Sequence, residues 1–372
     1  MRTLAFHLPQ FHPIPENDEW WGKGFTEWTN VTRARPLVPG HQQPHLPADL
    51  GFYDLRLPEA RAAQAELAKE FRVDGFVYYH YWFNGRRVLE RPVDEILALG
   101  QPDFPFCLCW ANEDWTRAWD GHSGHRLLQQ HYSPEDDLAH IQHLLPALAD
   151  RRYVRVGGRP LLLVYRTEHL PEPRRTAEIW RTAAIQAGIG DLYLARVESF
   201  QTDVNPVDIG FDAAVEFAPD WRQSQPMTFG LRHRVLKKLG LFPEAWLQHR
   251  FIEYSDLVRR MRAKPQPGFR RIRCVTPGFD NSARRKRDAT IFLNGTPAEY
   301  KEWLRQTIQE EVAVGLPEDE SLVMINAWNE WAEGNHLEPC QRWGRAYLEA
   351  TKQAVDEAEV ASQPSQLLGN SI

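Results

Sequence analysis

Two glutamates lie three residues apart near the end of the sequence, in the segment AWNEWAEG at residues 327–334. Glu330 lies between Asn329 and Trp331, and Glu333 follows two residues after that second tryptophan. Two carboxyl groups in a site that indole rings shield from water cannot both ionise easily, so the pKa of one should rise and an acid should stand beside a base. Such a pair suits glycosidic-bond cleavage, in which two carboxyl groups flank an oxocarbenium-like centre.

The local chain path decides whether the two carboxylates can act together. The apolar run SLVMI precedes the motif and predicts a strand. If that strand simply continued, Glu333 would face away from Glu330, because three is an odd step in a pattern of period two. Gly334 permits a turn at this point. We therefore predict that Glu330 closes the strand, that the chain turns at Trp331 and Ala332, and that Glu333 lies beside Glu330.

A regular alternation of strand-like and helix-like segments predicts the fold that carries this motif. Strands are expected at 3–11, 75–82, 104–112, 160–166, 192–199, 213–219, 270–280 and 322–330. Helices are expected at 58–71, 92–100, 133–150, 172–188, 254–262, 296–315 and 342–361. Eight strands followed by helices indicate an α/β protein of the (β/α)8 TIM-barrel type, with extended strand-to-helix loops on the catalytic face, rather than a doubly wound sheet.

The same pattern predicts how the chain is divided. Residues 1–361 are expected to form a single catalytic barrel domain, and residues 362–372 a flexible tail. The segment 221–251 is too long for a plain loop and is expected to form a lid over the site. It contains the basic amphipathic stretch GLRHRVLKKLGL, which leaves weak peripheral contact with an anionic membrane surface as an alternative.

Polar and aromatic residues at the strand ends predict a sugar-binding rim. The carboxyl ends of barrel strands converge on one face, where the chemistry of such folds gathers. The chain has 14 tryptophans, and indole faces stack on sugar rings whose hydroxyls need polar partners. The expected substrate-binding residues are Glu27, Trp28, His80, Tyr81, Trp82, Trp110, Asn112, Glu113, Tyr165, Glu198, Glu216, Asp280, Trp328 and Asn329.

Two further sets of charged residues leave alternatives open. Glu113, in CWANED at the third predicted strand end, repeats the Asn-Glu dipeptide and could act with Asp280 of the seventh as a rival carboxylate pair. The basic run ARRKRD at 283–288 is expected to be a solvated loop, with binding of an anionic sugar or a diphosphate as the alternative.

Composition excludes several classes of function. The formal charge of −6 arises from 44 basic and 50 acidic residues, so we expect no nucleic-acid partner. No phosphate-loop or dinucleotide fingerprint is present, and the spacing of the four cysteines is not that of a zinc site, so neither a cofactor nor a metal is expected. The amino terminus lacks a signal-peptide pattern and no apolar run could span a bilayer, which predicts a cytoplasmic protein, with peripheral contact at the inner membrane as the alternative.

Four long motifs resemble a known family. FHPIPENDEWWGKGFTEWTNV, YYHYWFNGRRVLERPVDEIL, PDFPFCLCWANEDWTRAWDG and NAWNEWAEGNHLEP resemble the WbsX-type proteins of bacterial O-antigen and other surface-polysaccharide loci, described as glycosyltransferases or as glycoside hydrolase family 99-like domains. The core Asn329-Glu330-Trp331-x-Glu333-Gly334 is similar to that of family 99 itself. This resemblance implies that Glu330 assists attack by the substrate's own 2-hydroxyl, forming a 1,2-anhydro sugar, and that Glu333 is the general acid/base.

Three functions remain open from the sequence. The leading hypothesis is a retaining, endo-acting glycoside hydrolase that cleaves α-linked mannose or rhamnose residues of a bacterial polysaccharide. The second is a glycosyltransferase or transglycosylase that builds such a polysaccharide. The third is a sugar-binding barrel without catalysis.

Overall fold

Eight parallel strands form a closed barrel in the computed structural model, which describes residues 1–117, 122–227 and 243–362. The strands are β1 (Arg2–His7), β2 (Gly75–Phe83), β3 (Phe106–Trp110), β4 (Arg159–Val164), β5 (Tyr193–Glu198), β6 (Ala213–Glu216), β7 (Arg271–Val275) and β8 (Leu322–Ile325). Each pairs with the next along the chain, and β1 pairs with both β2 and β8. The predicted (β/α)8 barrel, with all eight of its strands, is confirmed.

Helices follow the strands around the outside of the barrel. They are α1 (Pro15–Trp21), α2 (Glu27–Arg33), α3 (Pro58–Glu70), α4 (Arg91–Leu99), α5 (Pro134–Ala149), α6 (Pro173–Gln186), α7 (Ala245–Gln248), α8 (Tyr254–Arg262), α9 (Pro297–Ala313) and α10 (Ala346–Ser362). The seven predicted helices correspond to α3 to α6 and α8 to α10. Ser133 caps α5 as its position before Pro134 suggests, because its hydroxyl accepts a hydrogen bond from the Asp136 N–H at 3.1 Å. The short helices α1, α2 and α7 were not predicted.

Short strands decorate the loops at the ends of the barrel. They span Arg86–Val88, Trp115–Arg117, His122–Leu128, Arg155–Val156, Arg250–Glu253, Thr290–Leu293, Asn329–Glu330 and Asn335–His336. Four of them form the pairs Trp115–Arg117 with His122–Leu128 and Asn329–Glu330 with Asn335–His336, both antiparallel. The first pair and α1 lie beside the cavity described below, and the second pair carries Glu330.

All the barrel strands except β2 end earlier than the apolar patterns suggested. β1 ends at His7 rather than residue 11, and β8 ends at Ile325 rather than residue 330. At the end of β8 the chain leaves the sheet and re-enters an extended conformation only at Asn329–Glu330, which pairs locally and not with the barrel. Glu330 therefore does not close β8, contrary to prediction, because the strand ends five residues before it.

Parts of two predictions fall on segments that are not described. Residues 228–242, most of the predicted lid, lie outside the described residues, as do residues 363–372 of the predicted tail. Within the described ranges, none of the helices has the length and apolar character needed to cross a membrane. Cys107, Cys109, Cys274 and Cys340 are buried free thiols.

Candidate active site

A cavity of about 860 Å³ opens at the carboxyl ends of the barrel strands. Its floor is aromatic: Tyr79 of β2 stacks on Phe6 with ring centroids 5.6 Å apart, and Tyr165 meets Phe217 at 5.5 Å. The residues that line the cavity include Asn17, Trp21, Tyr79, Tyr81, Glu113, Asp114, Trp115, Gln130, Tyr165, Arg166, Phe217, Arg284, Arg285, Glu330 and Glu333. Aromatic rings and ionisable groups therefore line the same cavity, a combination typical of sugar-binding sites.

Glu330 and Glu333 both line this cavity. A single 3-10 turn over Trp331–Glu333 follows the short strand that carries Glu330, and Gly334 ends the turn at φ 54°. A side chain could not replace the hydrogen of Gly334 without a shift, because a Cβ there would lie 2.9 Å from the Asp280 Cβ. The prediction that a turn after Glu330 brings the two carboxylates together is therefore confirmed in geometry.

One arginine holds three carboxylates at this wall. The Arg284 Nη1 donates to the Glu333 Oε1 at 2.6 Å, and its Nη2 donates to the Glu330 Oε2 at 3.0 Å. The Nε and Nη2 also donate to the Glu27 Oε2, at 3.1 and 3.0 Å. Arg284 was predicted to lie in a solvated basic loop, but its side chain is only 9% exposed. A run of five charges in six residues gives no sign that its first arginine turns inward.

Burial and charge raise the pKa of Glu330 to about 8. Removal of the carboxyl from water is the main cause, and the negative charges of Glu333 and Glu27 add to it, while Arg284 opposes the shift. Burial likewise raises the pKa of Glu27. Three acids around one guanidinium cannot all ionise at low cost, so the cluster holds a proton at neutral pH. This agrees with the expectation of an acid beside a base.

A buried hydrogen-bond network fixes the turn that carries the two glutamates. The Asn329 Oδ1 accepts from the Leu8 N–H at 2.7 Å, and its Nδ2 donates to the Tyr53 Oη at 3.1 Å. Tyr53 and the Trp331 indole N–H both donate to the Glu338 Oε2, at 2.9 and 2.6 Å. Asn329 and Trp331 therefore anchor the motif to Leu8, just after β1, and to Glu338, and the pattern of the sequence did not reveal Glu338.

Four of the predicted substrate-binding residues keep a place at the site. Tyr81, Glu113 and Tyr165 line the cavity. Glu113 pairs with Arg166 across the loops that follow β3 and β4. Glu27 is fully buried and is linked through Arg284 to the wall that carries Glu330 and Glu333. It can position the pair but is not itself among the cavity-lining residues.

Three predicted binding residues face the helix layer instead. Because Tyr79 and Tyr81 of β2 point into the cavity, their neighbours His80 and Trp82 point outward. His80 and Trp82 stack on His140 of α5, with ring centroids 5.1 and 4.9 Å away. Trp110 of β3 packs against the same His140 at 4.6 Å. These three predictions are wrong in placement: the residues join barrel to helices.

Four other predicted binding residues contact protein groups away from the cavity. The Trp28 indole N–H donates to the Tyr53 carbonyl at 2.8 Å, and Trp328 packs on Phe76 with ring centroids 5.0 Å apart. Asn112 accepts from the Arg166 N–H at 2.8 Å and donates to the carbonyl of the same residue at 2.9 Å. Asn329 clamps Leu8 as described. Their side chains are engaged inside the protein and do not line the cavity, contrary to prediction.

The remaining three are carboxylates with internal partners. Glu198 pairs with Arg271 at 2.8 Å, and Glu216 pairs with Arg273 and Lys264, both at 2.9 Å. The Asp280 Oδ2 contacts the His41 Nε2 at 2.6 Å and accepts from the Gln43 Nε2 at 2.7 Å. Asp280 does not line the cavity that holds Glu113, so the rival pair of these two acids is not assembled. Among the described residues, no cluster of three His, Cys, Asp or Glu side chains could hold a metal ion.

The fold and the paired acids together fit a glycan-processing enzyme. The chain belongs to the WbsX family, since the family model described as Glycosyltransferase WbsX matches residues 3–351. An uncharacterized protein, WxcX, of Xanthomonas campestris pv. campestris (strain ATCC 33913) is 47% identical over 361 residues, which are 97% of this chain and 50% of that protein. WxcX of strain B100 matches to the same extent. The chain thus spans about half the length of these curated relatives.

Solved structures share the barrel. The GH99 endo-alpha-mannosidase of Bacteroides thetaiotaomicron, in complex with Bis-Tris propane, superposes with a TM-score of 0.57 at 15% identity, over 97% of this chain and 99% of that one. A glycoside hydrolase-like protein superposes with a TM-score of 0.59 at 13% identity, over 95% and 93% of the two chains. At such identities the likeness establishes the fold.

Proposed function

We propose that the protein is a retaining, endo-acting glycoside hydrolase that cleaves α-linked manno-configured residues, mannose or rhamnose, of a bacterial surface polysaccharide. The observation that carries this proposal is the pair Glu330 and Glu333, held on one cavity wall by Arg284. The family and the barrel support the broader class, a glycan-processing enzyme. We also propose that residues 1–361 act as one catalytic domain with 221–251 as its lid.

The chemistry assigns one proton transfer to each glutamate. Glu330 takes the proton of the substrate 2-hydroxyl as O2 attacks C1, and Glu333 gives a proton to the departing glycosidic oxygen. The product of this step is a 1,2-anhydro sugar, which water opens at C1 with Glu333 as base while Glu330 returns its proton to O2. Two inversions at C1 give net retention. No protein nucleophile is required, so both acids serve as proton carriers.

The proton inventory of the free protein constrains this scheme. The reaction needs one proton on the pair, and the raised pKa of Glu330 keeps one there at neutral pH. The assigned roles require that proton on Glu333 when the bond breaks. We therefore infer that substrate binding moves the shared proton from Glu330 to Glu333, as the 2-hydroxyl approaches the buried carboxyl.

Digestion of a panel of α-linked manno- and rhamno-oligosaccharides, read by mass spectrometry, tests the proposal. The wild-type protein should release new reducing ends, while Glu333→Gln should still bind the cleaved oligosaccharide with little turnover. Glu302→Gln is the control, because Glu302 lies on α9 outside the cavity and pairs with Arg305. Near wild-type turnover by Glu333→Gln would refute the assignment.

A second candidate is a glycosyltransferase or transglycosylase on the same sugars. Its support is the description of the family and the exposed basic residues Arg285 to Arg287, of which Arg285 lines the cavity and could meet an anionic leaving group. Incubation with oligosaccharide and an added acceptor separates the two candidates. Net release of reducing ends in water favours hydrolysis, and elongation of the acceptor without such release favours transfer.

A further inference from the structure

Two buried carboxamides line the cavity without hydrogen-bond partners. Asn17 of α1 has no exposed surface, and neither its Nδ2 nor its Oδ1 meets a partner within the described part of the chain. Gln130 is 8% exposed, and its Nε2 and Oε1 are likewise unpartnered within the described ranges. Both side chains are among the residues that line the cavity.

Two other buried amides, Asn112 and Gln64, make hydrogen bonds inside the protein through both ends of the side chain. Asn112 bonds both polar groups of the Arg166 backbone. Gln64 lies 3.1 Å from the His7 Nε2 and donates to Glu338 at 2.6 Å. Burying an amide without partners costs stability, so native proteins rarely leave both of its ends unpaired. Asn17 and Gln130 depart from this rule where a ligand can restore the missing bonds.

Both carboxamides belong to neighbouring elements at one side of the cavity. Trp20 of α1 meets Trp115 edge to face, with ring centroids 5.8 Å apart. The Gln130 backbone N–H donates to the Asp114 Oδ1 at 2.8 Å. This bond joins the residues just before the short strand Trp115–Arg117 to those just after its partner His122–Leu128. Indole rings of Trp21 and Trp115 line the same cavity.

We propose that Asn17 and Gln130 form a subsite that binds the hydroxyls of an uncharged sugar residue next to the one that is cleaved. The proposal deepens the proposed hydrolase function and rests on it. Each carboxamide offers two donors and an acceptor, which match hydroxyls that both donate and accept. The Asp114 carboxylate beside Gln130 disfavours an anionic ligand here. Trp21 and Trp115 supply apolar faces for the ring.

Thermal unfolding of the ligand-free protein gives the first test. Asn17→Leu and Gln130→Met keep the side-chain shape but remove the unpartnered polar atoms, so each should raise Tm by about 1–3 °C. Asn112→Leu is the matched control: it removes an equally buried amide that has partners, and it should lower Tm. A fall of Tm in the Asn17 and Gln130 variants similar to that of Asn112→Leu would overturn the proposal, because it would mark a structural role.

Affinity for short α-linked manno-oligosaccharides gives the second test. Calorimetry on the Glu333→Gln background, with Asn17→Leu or Gln130→Met added, should show affinity reduced about 10- to 100-fold for oligosaccharides but unchanged for the monosaccharide. Unchanged oligosaccharide affinity would show that only water binds the two amides. That result would overturn the subsite and leave the hydrolase proposal standing. Loss of turnover in Glu333→Gln is measured separately, so failure of the catalytic assignment is distinguishable.

Discussion

Substitution of Glu27 by glutamine should move the alkaline limb of the pH–activity profile to lower pH. The reaction needs one proton on Glu330 and Glu333 together, so kcat/KM of the wild-type protein should fall as pH rises through the pKa of Glu330, about 8. The negative charge of Glu27 is one of the causes of that raised pKa. Glu27→Gln removes the charge and retains an oxygen that can accept from Arg284.

The geometry sets the size of the shift. The Glu27 and Glu330 Oε2 atoms each lie 3.0 Å from the same Arg284 nitrogen, so these two oxygens are at most 6 Å apart. Two unit charges at that distance interact by about 3 kcal/mol at an effective dielectric constant of 20, or about two pH units. Burial also raises the pKa of Glu27, and the two carboxyls titrate as a pair, so the limb should move by no more than this amount, by about one to two pH units.

The assay is kcat/KM from pH 5 to 10 on the oligosaccharide that the wild-type protein cleaves. Glu113→Gln is the control, since Glu113 lines the same cavity but is not among the groups that shift Glu330. Its alkaline limb should stay near pH 8. If Glu27→Gln left the limb in place or moved it upward, the three-acid cluster around Arg284 would not set the proton inventory.

Three further predictions concern stability. Arg284→Met should lower the free energy of unfolding by about 3–5 kcal/mol at pH 8, and by less at pH 5, which lies well below the pKa of Glu330; an equal loss at both pH values would contradict the pairing. Burial raises the pKa of Glu338 to about 7, above its unfolded value of about 4.5. The folded protein should therefore become less stable as the pH rises from about 4.5 to 7, by up to about 1.4 kcal/mol per pH unit from this group. Glu338→Gln should flatten that decline in urea unfolding, and an unchanged slope would refute it. Gly334→Ala should cost about 1–3 kcal/mol more than the matched Gly188→Ala, because both glycines have positive φ but only at Gly334 would a Cβ meet Asp280; equal costs would show that the contact relaxes.

Patterns that repeat along the chain were readable from the sequence. The eight strands and seven main helices follow from apolar runs and periodic segments, since each barrel unit must bury the same kind of face. The turn that joins Glu330 to Glu333 was also predictable, because the odd spacing and Gly334 left little else. These features depend on residues that are close together in the sequence, so the sequence alone can indicate them.

Contacts between distant segments were not readable. Glu27, Arg284 and Glu330 come from three separate parts of the chain, and no local pattern marks a basic loop whose first arginine turns inward. The inward or outward direction of His80 and Trp110 depends on strand register, and all aromatic residues at strand ends look alike in the sequence. Whether a predicted side chain reaches the cavity depends on the residues that it contacts in the folded protein more than on its residue type.

Cleavage in ¹⁸O-labelled water, followed by mass spectrometry of the products, tests whether Glu330 and Glu333 are the catalytic pair. The wild-type protein should release reducing ends that carry ¹⁸O, and Glu330→Gln and Glu333→Gln should each reduce this release by at least about 100-fold, while the control Glu302→Gln should not. If either variant released labelled ends at the wild-type rate, the pair at the carboxyl end of the barrel would not be the catalytic pair.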